Sequence, residues 1–166
     1  MLLEEIKEAF IAQYNVENAG AMQAYMKGKF EYIGMKSSER TTIQNEFYDK
    51  IKFLSDEKKI HLCEQLWELS PREFQYFAID ILKKYFKKTK AVLLEQIYYF
   101  ITTKSWWDTI DSIASNTLGN LIRYNPQLIT EMDKWIEDED FWVRRSAIIF
   151  QLKCKDIVDE ERLFSY

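Results

Sequence analysis

Apolar residues recur at intervals of three and four along nearly the whole chain, the spacing that lines them up on one face of an α-helix. Residues 2–14 place Leu3, Ile6, Phe10 and Tyr14 on one stripe, and a second helical stretch covers 19–27. Residues 30–38 form the longest non-helical interval, with Gly28 and Gly34 flanking Tyr32 and Ile33. The helical period resumes over 41–53, and Ser55 caps a helix carrying Ile60, Cys63, Leu66 and Trp67. Ser70-Pro71-Arg72-Glu73 is a stronger start signal, a serine cap with proline at the first helical position and glutamate at the third. It opens a helix that turns Phe74, Phe77, Ala78, Ile81, Leu82 and Tyr85 inward. Thr89 caps a helix over 92–100, Ser105 with Asp108 caps one reaching 116, and a short helix covers 117–124. Asn125-Pro126 starts another through 136, and Asp140 one through 152.

No alternating stretch of strand length competes with these helices, so the fold class is all-α. Short links make sequential helices antiparallel neighbours, and a spacing of roughly 30 to 40 residues per pair predicts stacked pairs in a curved, HEAT-like solenoid. The 166 residues suit a single domain, 1–166, around one substantial core.

Composition narrows the classes. Four glycines, two prolines, 47% hydrophobic and 30% charged residues describe a globular helical chain and exclude a disordered one. Cys63 and Cys154 each fall inside a helical apolar pattern, so a disulfide scaffold is not expected and a reducing, cytoplasmic setting is. His61, the sole histidine, has no ligand cluster at metal spacing, so no metal is expected. The amino end has no basic leader, and no window approaches 18 apolar residues, so neither secretion nor a membrane partner is expected.

Charge is uneven although the net is only −4. Lys83, Lys84, Lys87, Lys88 and Lys90 fall close together, whereas residues 131–140 hold six acids and one lysine. Lys27, Lys29, Lys36, Arg40, Lys104, Arg123, Arg144 and Arg145 are further candidates for phosphate contact; such basic positions permit DNA binding without establishing it. In Ser105-Trp106-Trp107-Asp108-Thr109-Ile110-Asp111, helical geometry puts Trp107 and Asp111 on one face, an indole beside a carboxylate. Trp106, Trp135 and Trp142 are assigned to packing.

Trp106-Trp107-Asp108-Thr109-Ile110-Asp111, together with Phe141-Trp142-Val143-Arg144-Arg145-Ser146-Ala147-Ile148, resembles the AlkD-like family of bacterial DNA alkylation-repair glycosylases. The resemblance runs on through Tyr25-Met26-Lys27-Gly28-Lys29-Phe30, Gly34-Met35-Lys36-Ser37-Ser38-Glu39-Arg40, Leu66-Trp67-Glu68-Leu69 and Arg72-Glu73-Phe74-Gln75-Tyr76, essentially the whole chain. It implies a curved stack of HEAT-like repeats that holds duplex DNA containing alkylated purines and excises cationic N3- and N7-alkylated bases without flipping them into a pocket. It also implies Asp111 as catalytic carboxylate, Trp107 as its aromatic neighbour and Arg145 as the active-site arginine. Arg144 adjoins Arg145, and the sequence leaves open which of them faces the groove.

The family pattern continues for further helices past the position matching Val158 to Phe164, adding a second aromatic wall. The resemblance therefore implies that residues 1–166 lack C-terminal repeats and excise weakly or not at all. Two other readings stay open: a protein that binds duplex or damaged DNA without excision, and a HEAT-type scaffold for protein partners.

Overall fold

The computed structural model describes residues 1–87, 91–154 and 158–166, and all regular secondary structure among them is helical. The order is α1 (Leu2–Ile11), α2 (Val16–Tyr25), α3 (Ser37–Lys52), α4 (Asp56–Glu68), α5 (Arg72–Tyr85), α6 (Leu93–Thr102), α7 (Trp107–Ser112), a π-helical segment (Ile113–Leu118) and α8 (Gly119–Tyr124). A 3-10 turn (Pro126–Leu128), α9 (Ile129–Trp135), α10 (Phe141–Ile149), a second 3-10 segment (Phe150–Lys153) and α11 (Glu160–Ser165) complete it. The all-α class with stacked helix pairs is as the periodicity requires. Two compact units divide the chain, Met1–Ile81 and Leu82–Tyr166.

In the first unit the predicted apolar stripes meet. Ile6 and Phe10 of α1 are fully buried, and Phe10 stacks on Phe74 at 5.1 Å and Phe77 at 5.6 Å. Truncating one such ring to alanine costs about 3–5 kcal/mol. Tyr14, expected on the same stripe, is exposed because α1 stops at Ile11 and the chain turns so that the Asn15 amide donates to the Ile33 carbonyl. Asn15 then caps α2 through the Asn18 amide, so this helix starts three residues before the expected position. Likewise α3 begins at Ser37 rather than 41, because the Glu39 carboxylate accepts from the Lys36 amide.

Ser70-Pro71-Arg72-Glu73 does precede a helix, but Glu73 does not close a capping box. Its fully buried carboxylate accepts from the backbone N–H groups of Ile33 (3.0 Å), Gly34 (2.8 Å) and Met35 (3.2 Å). A buried polar group is tolerable only with such bonds, and these hold the 26–36 loop against α5. The Ser70 hydroxyl meanwhile donates to Glu31. Gly34 is irreplaceable in that loop: its φ is +94°, and a Cβ there would lie 2.3 Å from the Asn15 carbonyl oxygen.

The second unit is built on α6, α7, the π segment and α10, with Ile97, Phe100, Ile110, Ile113, Leu118, Met132 and Val143 in its core. Ser105 is not the α7 cap. Its hydroxyl donates to the Ile101 carbonyl at 2.6 Å, and Trp106, in extended conformation, holds the cap position. The boundary expected near 116 is instead a π turn, so residues 107–124 are continuously helical. Asn125 does not cap either; its amide donates back to Leu121, and Pro126 opens a 3-10 turn. Asp140 does cap α10, accepting from Trp142 (2.6 Å) and Val143 (3.4 Å). The Thr89 cap, Lys88 and Lys90 of the lysine run, and Ile157 lie outside the described residues. No helix among the described residues is long and apolar enough to cross a membrane.

Candidate active site

Two short helices of the second unit bring its predicted site residues together. On α7, Thr109 and Ile110 are fully buried, which leaves Trp107 and Asp111 on the accessible side, one turn apart. On α10, Val143, Ser146 and Ala147 are buried, and the two arginines leave the opposite side diverging by about 100°, the rotation per residue of an α-helix. Their fates differ accordingly. Arg145 makes a side-on, bidentate pair with Asp111: Nε donates to Oδ1 and Nη2 to Oδ2, both at 2.7 Å. Arg144 Nη1 instead donates to the carbonyls of Asp138 (2.6 Å) and Glu139 (2.9 Å), tying down the loop before α10.

The pair is open to solvent. The side chains of Arg145 and Asp111 are 36% and 38% exposed, and Trp107 is 39% exposed. Hydrogen bonding to Asp111 raises the Arg145 pKa further above its ordinary value, so the guanidinium is charged throughout the accessible pH range. At this exposure, screening limits what the pair gives folding to about 1 kcal/mol or less. Bidentate geometry on a pair worth so little to stability leaves a carboxylate and a guanidinium that an incoming charged ligand can part at small cost. Beneath them Trp106 packs against Trp142 with ring centroids 5.7 Å apart, and Phe141 abuts Trp142 at 5.1 Å. Trp135 is buried edge-on to Tyr98.

Immediately after Asp111 the helix widens. The Ser115 hydroxyl donates to the Asp111 carbonyl at 2.6 Å, the Asn116 amide donates to Ser112 at 2.8 Å, and Lys153 Nζ donates to Asn116 Oδ1 at 2.6 Å. The Gly119 amide reaches back five residues to Ala114. π turns of this kind recur at functional sites because they re-aim the neighbouring side chains. The consecutive Ser115, Asn116 and Thr117, poor helix formers, were the sequence signal, and they read as a helix end. Gly119 permits the arrangement: a Cβ there would lie 2.5 Å from the Phe150 carbonyl oxygen.

The basic candidates are spread over both units. Lys104 lies two residues before Trp106 in the second unit, with Arg144; Lys27, Lys29, Lys36 and Arg40 are in the first. Lys27, Lys29 and Lys36 are exposed, while Arg40 is turned toward Asp80 (3.9 Å) and the Tyr76 ring (4.8 Å). Lys27 and Lys104 are the non-glycine residues with positive φ among those described, at +56° and +49°. Each follows a helix end where glycine is the usual choice. Among the described residues no group of three or more His, Cys, Asp or Glu side chains is placed to hold a metal ion.

Comparison with known proteins identifies the family. A family model described as DNA alkylation repair enzyme matches residues 6–166. A solved structure titled as a predicted DNA alkylation repair enzyme from Enterococcus faecalis is similar, with a TM-score of 0.81 and 27% sequence identity, over 92% of this chain and 72% of that one. No curated protein matches. With a family match over nearly its full length and an all-α fold shared with that structure, the chain belongs to the AlkD-like DNA alkylation repair enzyme family.

Proposed function

We propose that this chain hydrolyses the N-glycosidic bond of cationic N3- or N7-alkylated purines in duplex DNA, with Asp111 as the catalytic carboxylate. The observation that carries the reading is the accessible Asp111–Arg145 pair one helical turn from an exposed indole. An alkylated purine already bears a positive charge. When the bond from C1′ to the ring nitrogen breaks, its electron pair leaves with the base, which departs neutral, and positive charge develops on the sugar at C1′ and O4′. A carboxylate at that point stabilises the charge as it forms, the largest kind of catalytic contribution a protein makes without covalent chemistry. Water then adds its oxygen to C1′, and Asp111 accepts a hydrogen bond from that water and takes up its proton.

Trp107 offers the negative face of its ring to the same cationic sugar and base. Arg145 has Nε and Nη2 on Asp111, which leaves Nη1 for a backbone phosphate that fixes the sugar relative to the carboxylate. Lys27, Lys29, Lys36, Arg40, Lys104 and Arg144 supply phosphate contacts in this reading. A lesion read at an open carboxylate need not leave the helix for an enclosed pocket. The scheme uses neither metal nor organic cofactor.

A second reading rests on the same pair: both Asp111 oxygens accept from Arg145, and a carboxylate so occupied suits binding without excision. One assay separates the two. Methylated duplex is incubated with excess protein, and free 3-methyladenine and 7-methylguanine are measured alongside duplex affinity. The first reading expects release by the parent, its near-complete loss in Asp111→Asn, and an affinity changed by no more than a few-fold, since the variant removes charge but not size. Tight binding by the parent with no release of free base establishes the second.

A further inference from the structure

The first unit holds a pocket of about 330 Å³ that the chemistry of Asp111 does not use, walled by Met22, Tyr25, Met26, Met35, Arg40 and Tyr76. We propose that this pocket binds an unstacked nucleotide, its base between the methionine and tyrosine side chains and its phosphate on Arg40. The volume is at the lower end for small-ligand sites, which run from about 300 to 1,000 Å³ and bury flat apolar groups between a few placed polar ones.

The walls suit a flat ring. The methionines come from α2, its C-terminal end and the loop before α3, and their thioethers conform to an aromatic edge or face. Tyr76 is fixed, with its hydroxyl 3.1 Å from that of Tyr32 and the Arg40 guanidinium over its ring. Tyr25, 71% exposed, lines the same pocket from α2. The Glu73 clamp on residues 33–35 sets the loop that carries Met35, so this wall is preformed.

Arg40 gives the pocket its charge preference. Its nearest carboxylate oxygen, on Asp80, is 3.9 Å from Nη2, too long for a hydrogen bond, and its buried Nε has no acceptor. An unpaired buried donor is costly, and stacking on Tyr76 holds the plane of this guanidinium at the pocket wall. Lys27 and Lys36 directly follow the lining residues Met26 and Met35 in the chain and are exposed. Aromatic surface combined with cationic side chains is how proteins hold unpaired nucleotides irrespective of sequence.

The DNA reading guides the choice of nucleotide as ligand, but the pocket and Asp111 lie in different units, so binding here and excision there fail separately. The test uses the full chain with 13C-methyl-labelled methionine and two probes: dAMP and a single-stranded deoxyadenosine hexamer. Binding is expected to shift the methyl signals of Met22, Met26 and Met35 and to leave buried Met132 of the second unit in place. Arg40→Gln is expected to weaken binding at least tenfold. Ala21→Trp, which fills the pocket from an exposed position of α2, is expected to abolish it in a protein of parental helicity. Asp111→Asn should leave these shifts intact, whatever it does to excision. Hexamer binding at least tenfold tighter than dAMP identifies a DNA strand as the source of the nucleotide, and equal affinities identify the free mononucleotide. No methyl shift with either probe at millimolar concentration, or unchanged binding by Ala21→Trp, overturns the proposal.

Discussion

Asp111 and Arg145 stand 34 residues apart in the chain, and only one of them was placed beside its partner by local spacing. Trp107 and Asp111 were legible as neighbours because residues four apart on a helix share a face. Choosing between Arg144 and Arg145 was beyond the sequence: adjacent residues of one type differ only in azimuth, which is set by what α10 buries. With Val143, Ser146 and Ala147 inward, Arg145 reaches the carboxylate and Arg144 the loop carbonyls. The proposed mechanism therefore separates the neighbours by experiment. Arg145→Ala should weaken lesion binding and excision together by about 1–3 kcal/mol, the worth of a charge-assisted contact. Arg144→Ala should instead lower the melting temperature, through lost anchoring of Asp138 and Glu139, with excision per folded molecule less affected. Parallel thermal melts and single-turnover release decide it; the reverse assignment of the two phenotypes would mean that the pairing at Asp111 does not govern the chemistry.

Elements were legible where a cap and a periodic stripe agreed, as at Ser55 and Asp140, whose side chains accept from the first turns of α4 and α10. They were misread where a side chain had a more distant use. Glu73 looks like a capping glutamate but closes a loop about 40 residues away, and Ser105 looks like a cap but serves the end of α6. The π turn was illegible because a widened helix and a helix end draw on the same poor helix formers; what distinguishes them is Phe150 lying against Gly119, a contact no local pattern encodes. Gly119→Ala should therefore cost about 1–3 kcal/mol, the range for overpacking, because the obstructing atom is a backbone carbonyl and cannot swing aside. Denaturant titration checks this, and a loss below about 0.5 kcal/mol would show that the π segment tolerates displacement of residues 150–153. Lys104 carries the opposite sign. A lysine at φ +49° costs about 1 kcal/mol relative to glycine, so Lys104→Gly should stabilise the fold by up to that amount while weakening duplex binding. Both quantities are read from one purified variant, and a gain in stability without loss of affinity would leave the lysine unexplained by DNA.

At the scale of the whole molecule, a protein of net charge −4 and isoelectric point about 5.2 is repelled by DNA on average, so any affinity comes from where its cations stand. Exposed Lys27 and Lys36 belong to one unit, Lys104, Asp111 and Arg145 to the other. Counterion release turns this division into a measurement: the logarithm of the duplex binding constant falls with the logarithm of salt concentration by about 0.9 per phosphate neutralised. If duplex DNA engages both units, the double substitution Lys27→Ala with Lys36→Ala should reduce that slope by about 1.8, and Lys104→Ala by about 0.9. Asp111→Asn should leave the slope unchanged, because a carboxylate displaces no phosphate counterion. A slope indifferent to the first-unit lysines but sensitive to Lys104 would confine the duplex to the second unit. In that case excision would have to proceed from the Asp111 site alone, and lesion release by the Lys27, Lys36 double variant would match the parent at every salt concentration.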